Sequence, residues 1–213
     1  NNLNNLQYLV GSGKISKKST LPYSENICNF LGDLSKELST NKASNKYPDL
    51  KTLAFWCRKK NVFNLKKNFL TNKTRVGLGL IFHITPSNIP TNFAYSLIFG
   101  LITGNSNIVK VPSQNFEQIE IICKSINKIL KNKHKSIRDM ISVVRYTNND
   151  NYTKKISAIC NARLIWGGDN SINNIRKFPL NQRALDIAFA DRYSFCVIRT
   201  EEILKLNDTE MQR

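Results

Sequence analysis

The chain has 213 residues, with 32 Lys and Arg against 15 Asp and Glu, for a formal charge of +17. Hydrophobic residues make up 41%, too many for wholesale disorder, yet no apolar run reaches the roughly 18–20 residues of a bilayer span, and residues 1–8 lack the pattern of a signal peptide. Five cysteines stand singly, and neither His83 nor His134 has a second ligand at metal spacing, so the expectation is a reducing, cytoplasmic setting with no disulfide framework, no metal and no membrane insertion.

In chain order, residues 1–20 are polar. Gly11-Ser12-Gly13-Lys14 resembles a phosphate loop only in part, because Tyr8 stands where the leading glycine belongs and Ile15 where Ser or Thr is needed. Residues 21–70 read as helices. Ser24 is placed to cap a run through Ile27, Phe30 and Leu34, whose spacing marks one face, and Pro48-Asp49 opens a second run through Leu53, Phe55 and Trp56. From about residue 75 strands and helices alternate. A dense apolar strand at 76–84 ends in Thr85-Pro86-Ser87-Asn88. A helix at 90–101 stops at Gly104-Asn105, and a strand follows at 107–111. Next come an amphipathic helix at 116–130, a β-branched strand at 141–146 and a helix at 152–160. The strand 163–166 is halted by Gly167-Gly168. A short helix at 171–178 and extended segments at 184–189 and 193–199 complete the pattern.

Repeated β-α-β units with non-alternating apolar strands predict an α/β fold. Its core is a doubly wound, Rossmann-like open parallel sheet, preceded by a helical amino-terminal segment. The expected division is 1–74 for the helical segment and 75–213 for the α/β domain. Ligands of such sheets bind beyond the carboxyl ends of the strands, which directs attention to loops 85–90, 111–115, 147–150 and 167–171. The positive charge is dispersed: Lys17-Lys18, Arg58-Lys59-Lys60, Lys66-Lys67 and 131–135 are short groups diluted by 28 Asn. No zinc-finger, RNP or helix-turn-helix pattern accompanies them, so specific nucleic-acid binding is not expected.

The segments 79–90 (GLIFHITPSNIP) and 104–113 (GNSNIVKVPS) resemble the aldehyde dehydrogenase superfamily. There, one strand ends in Pro-x-Asn-x-Pro and the next in a Gly-Asn turn followed by a strand-end lysine. In detail they are similar to its long-chain acyl-CoA reductase branch, the fatty-acid reductase of bacterial bioluminescence. The segments 55–59 (FWCRK), 165–169 (IWGGD) and 191–194 (DRYS) agree in order and spacing.

The resemblance implies a nicotinamide dinucleotide site without the Gly-x-Gly-x-x-Gly turn. Ile84, Thr85, Pro86 and Ser87 would border the cofactor, and the Asn88 amide would hold the oxyanion of the substrate carbonyl, or else cap the next helix. Lys110 would bind the adenosine ribose, or else be a strand-end lysine that snorkels. Ser113 stands where NAD-preferring relatives often carry an acid, so the pair Lys110 and Ser113 implies NADPH. Trp166, Gly167 and Gly168 would lie beneath the nicotinamide and pyrophosphate, the glycines giving close approach and positive φ. The family's general-base position falls near Phe189, where no acid stands.

The implied reaction is NADPH-dependent reduction of a long-chain acyl-CoA, or of an acyl-protein thioester, to the aldehyde through a cysteine acyl-enzyme. The intact protein would be a homo-oligomer and could meet an acyl-transferring partner protein. The nucleophilic cysteine is expected to lie beyond residue 213, leaving these residues inactive alone, with an apolar face uncovered. Cys196 reads as inert core in an apolar strand. The rival readings are an NAD(P)-dependent aldehyde dehydrogenase and a non-enzymatic basic module for polyanions.

Overall fold

The structure is a computed structural model that describes residues 6–11, 13–14, 16–69, 73–147, 150–192 and 195–211. An edge strand, β1 (Gln7–Val10), leads into three helices, α1 (Glu25–Thr40), α2 (Pro48–Trp56) and α3 (Lys59–Phe69). Alternation then begins with β2 (Leu80–Ile84), α4 (Asn92–Ile102), β3 (Ser106–Val111), α5 (Glu117–Asn132) and β4 (Ile141–Arg145). It continues through α6 (Asp150–Ile159), β5 (Ala162–Trp166), α7 (Asp169–Arg176) and β6 (Leu185–Phe189). Two single-turn helices follow, α8 (Thr200–Ile203) and α9 (Asp208–Met211).

Local chemistry explains these boundaries. In α1 the buried residues Ile27, Phe30, Leu31, Leu34 and Leu38 recur every three or four positions and so fall on one face. Ser24 holds the N-cap position, but its side chain makes no capping bond. Pro48 begins α2, where its missing N–H leaves no helical bond unmade. The strand predicted from residue 76 starts only at Leu80. Before it, the amides of Leu78 and Gly79 donate to the Asn105 side chain rather than to a neighbouring strand.

The strands form one sheet in the order β1–β4–β3–β2–β5–β6. β2 to β6 run parallel, and β1 joins β4 antiparallel. The chain enters at central β2, steps outward to β3 and β4, and returns to the other flank of β2 for β5 and β6. Val109, Val111, Ile141 and Val143 pack into a core with α1, α2, α4 and α5. Phe82, Ile84, Ile108, Val144 and Ile165 pack into a second core with Ile156 of α6 and Ile172 of α7. Helices on both faces make the sheet doubly wound, and burial on both sides is why its inner strands β2, β3 and β4 are almost wholly buried rather than alternating. The expected boundary at residue 74 falls between α3 and β2, with α1 and α2 inside the same core as α4 and α5. On the side of β2, β5 and β6, Ile81, Leu164 and Ile187 contribute to an apolar groove of about 470 Å³ that Phe69 and Phe99 also line. Among the described residues, no helix is long and apolar enough to cross a membrane.

Thr20 forms a seam between two glycines. Its N–H donates to the Gly104 carbonyl at 2.8 Å, and its carbonyl accepts from the Gly77 N–H at 3.1 Å. A side chain on Gly77 would strike the Gly104 carbonyl, and one on Gly104, where φ is +88°, would strike the Thr20 carbonyl.

Two polar clusters are built into the apolar layers. His83 of β2 is fully buried, with Nδ1 2.8 Å from Ser96 Oγ and Nε2 2.9 Å from Asn107 Oδ1. Asn107 Nδ2 donates to the Asn105 carbonyl, so Oδ1 is an acceptor and the proton is assigned to His83 Nε2. Burial pushes the His83 pKa down to about 4. Arg163 of β5, 1% exposed, donates through Nε and Nη2 to the two Asp186 carboxylate oxygens of β6 at 3.3 and 2.8 Å. Its Nη1 lies 3.1 Å from each of three acceptors, Ser157 Oγ and the carbonyls of Ile175 and Phe178.

Two outcomes are expected. Removing the carboxylate with Asp186→Ala strands a buried guanidinium and should cost about 3 kcal/mol, read as a lower urea midpoint. His83 gives an acid limb to stability: the unfolded histidine takes a proton near pH 6.5, whereas the folded one resists to about 4. Its contribution is therefore complete above pH 6.5 and is lost toward pH 4, by about 3 kcal/mol. Urea titrations from pH 7 to 4.5 should show a shallower pH slope in His83→Gln; identical slopes would contradict this.

Candidate functional site

Because the chain leaves β2 in one direction and returns on its other flank, the loops after β2, β3 and β5 diverge at the carboxyl edge of the sheet. They enclose a cleft of about 590 Å³. Ile84, Thr85, Pro86, Ser87 and Asn88 enter it from the end of β2, Lys110 and Ser113 from β3 and its loop, and Trp166, Gly167 and Gly168 from the end of β5. Every residue that the resemblance assigns to the cofactor or to the substrate carbonyl lines this one cleft. From loop 147–150, Thr147 does not line it, and Asn148 and Asn149 lie outside the described residues.

Backbone register sets the cleft's shape. Ile84 pairs with Lys110 across β2 and β3. Thr85 then donates both its N–H, at 3.3 Å, and its hydroxyl, at 2.9 Å, to the Lys110 carbonyl. Arg145 at the end of β4 braces the neighbouring loop, donating to the Pro112 carbonyl at 3.3 Å and to Glu120 Oε1 at 3.0 Å. Asn88 is exposed and does not cap α4, whose N-cap is Thr91.

The Lys110 side chain is half-buried, with Nζ 5.1 Å from the centre of the Tyr146 ring. No carboxylate pairs with it among the described residues. Burial lowers its pKa. Ser113 is exposed on the rim. Across the cleft the Trp166 ring stacks on Phe189, with centroids 4.0 Å apart and planes 12° from parallel. Trp166 Nε1 is buried with no partner among the described residues.

The glycines serve a different purpose from the one expected. Gly167 and Gly168 do not have positive φ; Gly168, the N-cap of α7, lies at φ −68° and ψ 161°. Gly168 is needed for space, because a side-chain carbon there would sit 2.6 Å from Asp191 Oδ2. Phe189 occupies the position expected to lack a general base, yet Asp191, two residues on, also lines the cleft. Pro112, Gln114, Ser171 and Ile175 complete the lining. Sequence reasoning noted Asp191 in the 191–194 segment but did not place it in the cleft, because it stands between two extended segments where nothing in the pattern marks which way the chain turns.

A family model described as acyl-CoA reductase (LuxC) matches residues 33–211. No curated protein matches the chain. Among solved structures, a lactaldehyde dehydrogenase is similar at TM-score 0.62 and 14% identity, over 80% of this chain and 40% of that one. An NAD-dependent benzaldehyde dehydrogenase from Corynebacterium glutamicum gives 0.60 and 14%, over 79% and 42%. A bifunctional proline utilization A protein gives 0.58 and 16%, over 78% of this chain and 19% of that one. At these identities the likeness is one of fold. The chain thus spans between about a fifth and two fifths of the length of these structures.

The cysteines divide sharply. Cys28, Cys57, Cys123 and Cys160 are buried. Burial raises all four thiol pKa values, to about 12 at Cys57 and about 11 at Cys160. Cys196 is exposed, which corrects its expected place in a buried apolar strand. Residues 195–199 join no strand, and the side chains of Phe195 and Val197 on either side are also exposed, because no element packs over them among the described residues. Tyr193 and Ser194 lie outside the described residues. The expected result with a thiol-reactive dye is one fast-labelling cysteine in the native chain and four more only after denaturation. Cys196→Ser should abolish the fast phase; a fast phase that survives would contradict this burial pattern.

Proposed function

The chain belongs to the acyl-CoA reductase (LuxC) family, and we propose that it provides the NADPH site of an enzyme reducing long-chain acyl thioesters to aldehydes. The observation that carries this reading is Lys110: a half-buried cation with no carboxylate partner among the described residues, at the edge of an open polar cleft. An unpaired buried cation costs free energy unless an anion meets it, and a ribose phosphate is such an anion. Ser113 on the adjacent rim adds a hydroxyl and no negative charge, which suits a 2′-phosphate. The cleft's volume lies in the range of small-molecule sites, roughly 300–1,000 Å³. Gly168 and the first N–H groups of α7 suit the pyrophosphate.

When bound, a dihydronicotinamide supplies the hydride for the carbonyl carbon. The residues do the rest. The exposed Asn88 amide orients the carbonyl oxygen and stabilises the negative charge that gathers there; one such donor is worth about 3 kcal/mol in other enzymes. Phe189 offers no proton acceptor to activate water, which favours thioester reduction over hydrolytic oxidation of an aldehyde. We read the acyl-bearing cysteine as lying outside this sequence, the substrate as an acyl-CoA or an acyl group handed over by a partner protein, and the working form as a cytoplasmic homo-oligomer. The division into residues 1–74 and 75–213 is kept as a working assignment for the intact enzyme.

Trp166 lines the cleft, so cofactor titration should quench its emission, and Trp166→Phe should remove the quench. Lys110→Met should weaken NADPH binding at least about tenfold, the loss of one charge-assisted contact. Ser113→Glu should reverse the preference toward NADH by repelling the 2′-phosphate. Unaltered affinities in both variants would place the ribose elsewhere.

A further inference from the structure

Asp191 is the one acidic side chain among the residues described as lining the cleft. It follows β6, and its Oδ2 rests against Gly168 at the start of α7. Lys110 is the one Lys or Arg in the same lining, and it stands on β3. Between them the sheet runs β3, β2, β5, β6, three strand spacings, or about 14 Å. The cleft is thus polarised along its length, with a cation at one end and a carboxylate at the other.

With its phosphate-bearing ribose at Lys110 and its pyrophosphate at the start of α7, a bound dinucleotide would extend its nicotinamide end past Gly168 toward Asp191. The phosphates are the same in both redox states of the cofactor. The nicotinamide ring differs: it carries a positive charge when oxidised and none when reduced. The partial positive charge at the start of α7 disfavours a cationic ring, and the Asp191 carboxylate lies where it offsets that charge. We infer that Asp191 selects between the redox states of the cofactor, holding the oxidised form more tightly than an uncharged residue would. This rests on the cofactor reading given above. It also gives the reductase direction a physical basis, because the carboxylate favours the ring from which a hydride, one proton with two electrons, has already departed.

The test is equilibrium titration of the 213-residue chain with NADP⁺ and with NADPH, by calorimetry, in wild type, Asp191→Asn and Asp191→Glu. The quantity read is the ratio of the NADPH to the NADP⁺ dissociation constant. Asp191→Asn should lower that ratio about fivefold, the scale of one unit charge acting across a solvent-open site, and Asp191→Glu should restore most of it. Matching thermal melting of the three proteins keeps the comparison like with like. An unchanged ratio, or equal tightening of both cofactors in Asp191→Asn, would overturn the inference, the latter showing that the carboxylate acts on the shared phosphates. Failure of the wild-type chain to bind either cofactor would instead overturn the reading of the cleft, and this inference with it.

Discussion

The constraint on which one half of this molecule depends is the burial of a full positive charge in β5. Arg163 is closed off from water, and a charge so placed is tolerated only when its donors are answered. They are answered from four directions: the Asp186 carboxylate on β6, the Ser157 hydroxyl on α6, the last-turn carbonyl of Ile175 on α7, and the Phe178 carbonyl just beyond it. The carbonyls at a helix's end lack partners within the helix, so the guanidinium also terminates α7. Fixing that end of a two-turn helix fixes the other, and the other end is Gly168 in the wall of the cleft. The geometry around Trp166, Gly168 and Asp191 is therefore set from the far side of β5, by a residue that never reaches the cleft.

The opposite half is pinned by a neutral cluster. His83, Ser96 and Asn107 join β2, α4 and β3 through hydrogen bonds in the core, and the same two strands carry Ile84 and Lys110 near their carboxyl ends. Gly100 makes room for this arrangement, since a side chain there would overlap the Asn107 amide. A charged cluster on β5 and β6 and an uncharged one on β2 and β3 thus each register one wall of the cleft against the sheet.

The sequence made the sheet's interior legible because burial on both faces leaves runs such as 80–84 and 141–145 rich in apolar residues and without strict alternation. It also brought the cleft residues into view, since the loops at the carboxyl ends of an open sheet part at its switch point and leave a crevice there. What it could not show was governed by distant partners. β1 is short and lies in polar sequence, and it exists as a strand because β4 offers it an antiparallel edge. The apolar run at 76–79 looks like strand until the Asn105 side chain takes its amides. The glycines after β5 invited an argument from backbone conformation, when the operative fact was the nearness of Asp191, more than twenty positions away. Cys196 read as core from its apolar neighbours, but a hydrophobic run becomes core only when something covers it.

The seam at Thr20 bears on how the chain comes together. Its two glycine partners lie far along the sequence, and contacts that close long loops must wait for the intervening chain to be ordered. Seating residue 20 between Gly77 and Gly104 directs the segment before it back toward β4. Until then β4 presents an open edge of unpaired amides and carbonyls, the feature through which strands of separate molecules find one another. The residues before the seam would settle after those that follow it, and the vulnerable interval in folding is set by how fast that latch closes rather than by how stable the finished sheet is.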